Sequence, residues 1–324
     1  MRIASALVLS VLSLPALAHH GVAGVGVAGL NGPGAPIELA TSTVLPDGKV
    51  LAYLKMDEAQ YETYGWAAPN AEYARYTMLG LGYGFTPWFS AYAFLPYNEK
   101  IDEAGGLDSR GVADMSVMGQ IGFKYDQGFR LIPENESLDD LEDWHFTVFG
   151  GFTLPTGDAN LRDRNGEIDP GKSTGFGNPS WSLGLTATKM LSPRLTFNQE
   201  LSYIGFQEYK YDDGNRTRFG QEVRANSALI YRLYTNVERR LRLDLALEAH
   251  YLHLGRDRTN GVDERATGGD MIYALPGIRL YWDSVSVGLG YKTVVWKDLN
   301  EQDEQQGGEG TEAYRLMLTV SALF

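Results

Sequence analysis

Five histidines and no cysteine bound the chemistry open to this chain. Without thiols there is no disulfide framework, no thiolate metal site and no cysteine nucleophile. His19 and His20 stand side by side just after an apolar N-terminal run. As a processed N-terminus, His19 could chelate Cu(II) or Zn(II) through its amine and ring, with His20 as a further ligand. The plainer reading is a cleavage junction that tolerates polar residues, and no second His cluster supports the metal. A lipid-modifying enzyme would need a His and a Ser on neighbouring strands, with a third group to orient the imidazole. No Ser can be assigned to His145, His250 or His253, which read as polar residues of an interior or a rim. Gly24-Val25-Gly26-Val27-Ala28-Gly29 fits a dinucleotide fingerprint, yet no strand precedes it and no helix follows it. It reads instead as a mobile segment that enters the fold or lies beneath it. We therefore expect neither an enzyme nor a cofactor.

The other candidates are charged and polar side chains at every second position of long segments. Arg240, Arg242, Asp244, Glu248 and His250 share one face, and Leu241, Leu243, Leu245 and Leu247 share the other. The same alternation puts Glu222, Arg224 and Arg232 on one face, and Glu200, His145, Asp114 and Gln120 on the corresponding faces of other segments. Arg279, Lys292 and Arg315 follow suit. A helix would scatter these sets around its circumference, whereas a strand separates them. If the apolar faces meet lipid, this polar set lines a lumen, and its mixed signs favour ion pairing over a one-sign pore.

About twelve such strands can be placed, near 49–57, 72–84, 88–98, 111–125, 144–154, 179–191, 194–206, 219–234, 239–254, 271–282, 284–297 and 312–324. Short connections alternate with long polar ones, as in barrels with tight periplasmic turns and long external loops. The stretch 126–143 breaks that pattern, and its acidic run suggests a small periplasmic helix or flap. The uncharged run from Tyr76 to Asn98 could be mistaken for a membrane helix. Gly80, Gly82, Gly84 and Pro87 argue for two strands instead.

Composition agrees. The 324 residues are 44% hydrophobic and 21% charged, with 38 Gly and 19 Tyr, which excludes a disordered chain and a coiled coil. A net charge of -13 disfavours nucleic acid as a partner. Arg2, the apolar run to Leu17 and the site Ala16-Leu17-Ala18 read as a signal peptide cleaved after Ala18. The organisation expected is a signal over 1–18, a flexible Gly/Pro-rich segment over 19–48 and an all-β antiparallel outer-membrane barrel over 49–324. Phe324, in phase with Tyr314, Leu316, Leu318 and Val320, reads as a signal to the barrel assembly machinery. Outer-membrane lipid and a small solute complete the expected partners.

The strand end Leu154-Pro155-Thr156-Gly157-Asp158, then Gly175-Phe176-Gly177-Asn178-Pro179 and Trp181-Ser182-Leu183-Gly184-Leu185, resembles an outer-membrane transporter family described as "Putative MetA-pathway of phenol degradation". Asp108 to Gln120, with Gly111 and Asp114, is similar to an earlier strand of that family. The resemblance implies a channel-like barrel for small solutes, aromatic or hydrophobic compounds among them. It supplies no catalytic residue.

Overall fold

In a computed structural model, the structure describes residues 34–62, 72–102, 108–134, 141–163, 165–301 and 312–324. The segment expected to be a signal peptide, His19-His20 and the Gly24–Gly29 motif lie outside them. Alternation of apolar and polar side chains gives every long segment one face for each of two environments, and each becomes a strand. In chain order they are β1 (Val50–Tyr61), β2 (Glu72–Thr86), β3 (Phe89–Asp102), β4 (Ser109–Val112), β5 (Ser116–Tyr125), β6 (Phe129–Leu131), β7 (Trp144–Thr153), β8 (Ser180–Ser192) and β9 (Leu195–Gly205). There follow β10 (Tyr209–Lys210), β11 (Arg216–Arg218), β12 (Glu222–Asn236), β13 (Leu241–Leu254), β14 (Arg258–Thr259), β15 (Val262–Asp263), β16 (Gly269–Trp282), β17 (Val285–Leu299) and β18 (Glu312–Leu323).

Twelve of these form one antiparallel wall. β18 pairs with both β17 and β1, and β5 pairs with both β3 and β7, so the sheet closes on itself. Closure pairs each of the twelve long strands on both sides, as a membrane barrel requires because lipid cannot satisfy a free backbone amide. Val50 and Phe324 exchange backbone hydrogen bonds of 3.2 and 2.8 Å and finish the seam. The outward face carries exposed Leu79, Leu81, Leu183, Leu247, Leu289 and Leu316. Trp88, Trp144 and Trp282 stand at the short-turn end and Trp181 and Trp296 at the long-loop end, the two interfaces at which tryptophan settles. Trp66 lies outside the described residues.

Three expectations need correction. The strand expected over 111–125 is broken at Ala113–Met115. β4 pairs with β3 alone, whereas β5 pairs with β3 and β7, so the sheet splits between them. The stretch after Asp126 forms a hairpin rather than a helix over its described part. Gln127 (φ 53°) turns the chain, and Phe129 packs its ring 5.1 Å from Tyr125 and 5.5 Å from Phe146. Those cross-strand aromatic contacts favour β6. Arg240 does not share the inward face of β13. It sits exposed in the turn (φ 49°) and pairs with Asp283 at 2.8 Å.

Residues 34–48 enter the barrel. Ala35, Ile37, Leu39, Ala40, Val44 and Leu45 are buried there without forming a strand. Apolar inward residues receive them: Tyr53, Met78, Tyr92 and Phe94 beside Ala40 and Leu45, and Ile230, Ala246, Leu275 and Met317 beside Ile37 and Leu39. Two glycines make the approach possible. A Cβ on Gly84 would fall 2.1 Å from the Pro46 carbonyl oxygen, and one on Gly277 would fall 2.5 Å from Ile37.

Candidate functional site: the barrel interior

Most amides of the interior segment are met by inward side chains, which supply what a neighbouring strand would have supplied. Glu248 of β13 is the central anchor. Its carboxylate accepts the amides of Ile37, Glu38 (3.3 Å) and Leu39 (3.1 Å), and His250 lies 3.0 Å from the same group. Glu200 of β9 accepts the Ala40 amide at 2.8 Å. Asp244 accepts the Gly34 amide at 3.3 Å, and Arg279 donates to the Pro36 carbonyl at 2.7 Å. From the other side, Gln120 donates to the carbonyls of Thr41 (3.3 Å) and Thr43 (3.1 Å), and Ser90 accepts the Leu45 amide at 2.9 Å. Thr188 accepts the Ser42 amide at 3.1 Å. Hydrogen bonds to carboxylate acceptors in a low-dielectric interior are the stronger kind.

Charge is balanced locally. Glu38, on the segment itself, faces Lys292 at 2.9 Å and His250 at 3.9 Å. Arg242 pairs with Asp244 at 2.6 Å, and Arg224 pairs with Glu222. Arg315 bridges Glu312 (2.6 Å) and Asp57 (3.5 Å), and Lys55 joins Asp57 at 3.0 Å. Burying such groups is costly unless each is paired, and the pairing explains how opposite charges coexist inside one barrel. Arg232 is half-buried on the inward face of β12 near the short turns. His145 is buried at the same end, with Nδ1 3.1 Å from the Asp143 carbonyl.

Sequence patterning identified Gln120, Glu200, Asp244, Glu248, His250, Arg279 and Lys292, and the fold gathers them around residues 34–45. It did not identify the apolar inward residues, because Tyr53, Tyr92, Phe94 and Leu275 carry no polar mark that separates them from the lipid face. His253 lies apart, on the outward side near the long loops, 2.9 Å from Asp270, which also accepts a hydrogen bond from Tyr251 at 2.6 Å. Among the described residues no group of three or more His, Asp or Glu gathers as a metal site.

Asp114 serves another purpose. At the split between β4 and β5, its two oxygens accept the amides of Gly157 and Phe176, each at 2.8 Å. This ties the long connection 154–179 across the top of the lumen. Lys100 extends the tie, donating to the carbonyls of Gly171 (2.7 Å) and Ser173 (3.0 Å). Partial burial pushes the Asp169 carboxyl in that connection up to about 6, against the amides of Lys172 and Gly171 that it accepts. A second sheet, β10-β11-β14-β15, covers the same end.

A family model described as "Putative MetA-pathway of phenol degradation" matches residues 40–294. Among solved structures, the COG4313 outer membrane channel from Pseudomonas putida F1 shares 12% identity and a TM-score of 0.68, covering 87% of this chain and 98% of that one. The NanC porin gives 9% identity and a TM-score of 0.47 over 84% and 99% of the two chains. The TodX deltaS2S3 mutant monoaromatic hydrocarbon channel gives 11% and 0.42 over 86% and 91%. No curated protein matches the sequence. The first of these structures establishes the outer-membrane barrel fold.

Proposed function

This chain belongs to the family described as "Putative MetA-pathway of phenol degradation", and from that premise we propose that it is a passive outer-membrane channel for small, weakly polar compounds, aromatic ones included. The observation that carries this reading is the interior itself. A closed wall encloses a polar, charge-balanced lumen, and a hydrogen-bonded segment with an apolar underside crosses it. An open aqueous pore would need no such underside. A compound that slips past Ile37 and Leu39 must tolerate both the apolar residues beneath them and the polar residues around them, which suits an aromatic ring better than a sugar. The inward residues Asp114, Gln120, Glu200, Glu222, Arg224, Arg232, Arg242, Asp244, Glu248, His250, Arg279, Lys292 and Arg315 line the route, with His145 at its periplasmic end. Vesicles containing the purified barrel should take up toluene and phenol faster than empty vesicles, and should barely swell in arabinose. Equal uptake of both aromatics with and without the barrel would refute the reading.

In this reading the chain reaches the outer membrane after cleavage near Ala18, and the Phe324 ring serves recognition by the assembly machinery. Its support is that the ring is mostly exposed while its backbone alone holds β1. Phe324→Ala keeps those backbone bonds, so the barrel refolded in detergent should keep its stability while its abundance in the outer membrane falls several-fold. Parallel loss of both would assign the ring a packing role instead.

A further inference from the structure

An ionisable side chain on the lipid-facing side of a barrel is costly, and by default it marks a function. One row of such groups crosses the outward face of β1, β2, β3 and β4. Glu58, Arg75, Glu99 and Arg110 stand in register there, so the signs alternate. Arg75 donates to Glu58 at 2.8 Å, and its guanidinium lies 5.1 Å from the centre of the Tyr73 ring. Glu58, Arg75 and Glu99 each lie three residues from the external end of their strand, at the level of lipid headgroups. Next to the row the outer wall is concave. An open groove of about 980 Å³ starts at these three side chains and runs to Leu316, Leu289 and Ile278. Leu289 lies ten residues from the external end of β17 and Ile278 nine from that of β16, so the apolar end is the deeper one. Pro276, also in the groove, has no amide to give, and the pairing of β16 with β17 skips it and Leu275.

We propose that this groove seats one phosphorylated glycolipid of the outer leaflet, its phosphate on Arg75 and its acyl chains along Leu316, Leu289 and Ile278. A charged end near the surface and an apolar end at depth match the polarity of an outer-leaflet amphiphile. The alternating row narrows the head further. A bare phosphate at Arg75 meets repulsion from Glu58 and Glu99. A phosphate that carries its divalent counter-ion offers an anion to Arg75 and a cation to the flanking carboxylates. A lipid held there fixes the height of the barrel at the external interface and covers the wall where the β16–β17 pairing lapses. This inference rests on the outer-membrane barrel and not on the channel reading.

Native mass spectrometry of the purified barrel, offered diphosphorylated lipid A, phosphatidylglycerol or phosphatidylethanolamine, tests the assignment. With Mg²⁺ present, one lipid A should be retained about fivefold more than phosphatidylglycerol, the order expected of one basic group at a lipid surface. Chelating the Mg²⁺ should remove that preference. Arg75→Gln should abolish it, and Leu316→Trp, which fills the groove, should lower retention of all three lipids. Glu58→Gln combined with Glu99→Gln should make lipid A retention independent of Mg²⁺, because the repulsion is gone. Heat-modifiable migration reports that each variant is folded. Equal retention of the three lipids by the unaltered barrel would overturn the proposal, as would a lipid A preference that survives Arg75→Gln. A phosphatidylethanolamine preference without Mg²⁺ would assign the groove a zwitterionic head instead, and a barrel dimer without lipid would assign it to a second copy. Toluene uptake should be the same for Arg75→Gln as for the unaltered barrel. Its loss in that variant would make the groove part of the solute route and end the lipid assignment, whereas its absence from both would end the channel reading alone.

Discussion

Glu248→Ala should turn a tightly closed barrel into one that passes small hydrophilic solutes. The carboxylate accepts three consecutive amides, those of Ile37, Glu38 and Leu39, at the middle of the interior segment. Each hydrogen bond to a charged group contributes about 1.5–3 kcal/mol. Alanine removes the acceptor of all three donors at a buried site. The seated arrangement should lose about 3 kcal/mol or more, which shifts its population relative to displaced arrangements by over a hundredfold. Swelling of vesicles in arabinose should rise from near the empty-vesicle rate to that of an open pore. Glu248→Gln keeps one carbonyl acceptor and should fall between. The wall has its own ladder and should keep its heat-modifiable migration. If arabinose remains excluded from folded Glu248→Ala barrels, the segment is held by its apolar contacts, and Ile37 in the notch at Gly277 becomes the anchor to test.

Leu247→Arg should destabilise the folded barrel by about 2–4 kcal/mol, the cost of a cation at the bilayer midplane of an outward strand face. Leu247 lies halfway along β13, is 58% exposed, and is flanked across the wall by Leu229 and Pro276. No anionic side chain occupies those two flanking positions, and the guanidinium would have to snorkel past several residues to reach water. Val237→Arg is the matched control. Val237 is 83% exposed in the turn before β13, so the same change there should cost nearly nothing. Urea titration of both variants in lipid vesicles measures the difference. Equal stability would mean that Leu247 does not face the hydrocarbon.

The wall was legible in the sequence because its signal is local. Lipid on one side and a polar interior on the other force a period of two, and this period survives in Arg242, Asp244 and Glu248 against Leu243, Leu245 and Leu247. The strand break at Ala113–Met115 was not legible, since alternation continues across it. It arises because β4 finds only one partner. The hairpin at Phe129 was hidden in the same way: its acidic surroundings imitate a helix or flap, while the aromatic contacts that favour a strand come from Tyr125 and Phe146.

The sequence by itself determined which charged and polar side chains must stand inside the barrel, because the residue types alone set their cost in hydrocarbon, whereas apolar residues carry no such mark and were left open between the two faces. Only the tertiary structure decided what the interior residues hold. The Gly80-Gly82-Gly84 run, which the sequence marks merely as unsuited to a helix, includes a notch against Pro46. Glu248, which patterning offers as one more lumen charge, is the group on which three amides of the interior segment converge. Such contacts join residues some 210 positions apart, and no local period can record them. They exist because a chain without a strand partner must find its hydrogen bonds from whatever the closed wall presents.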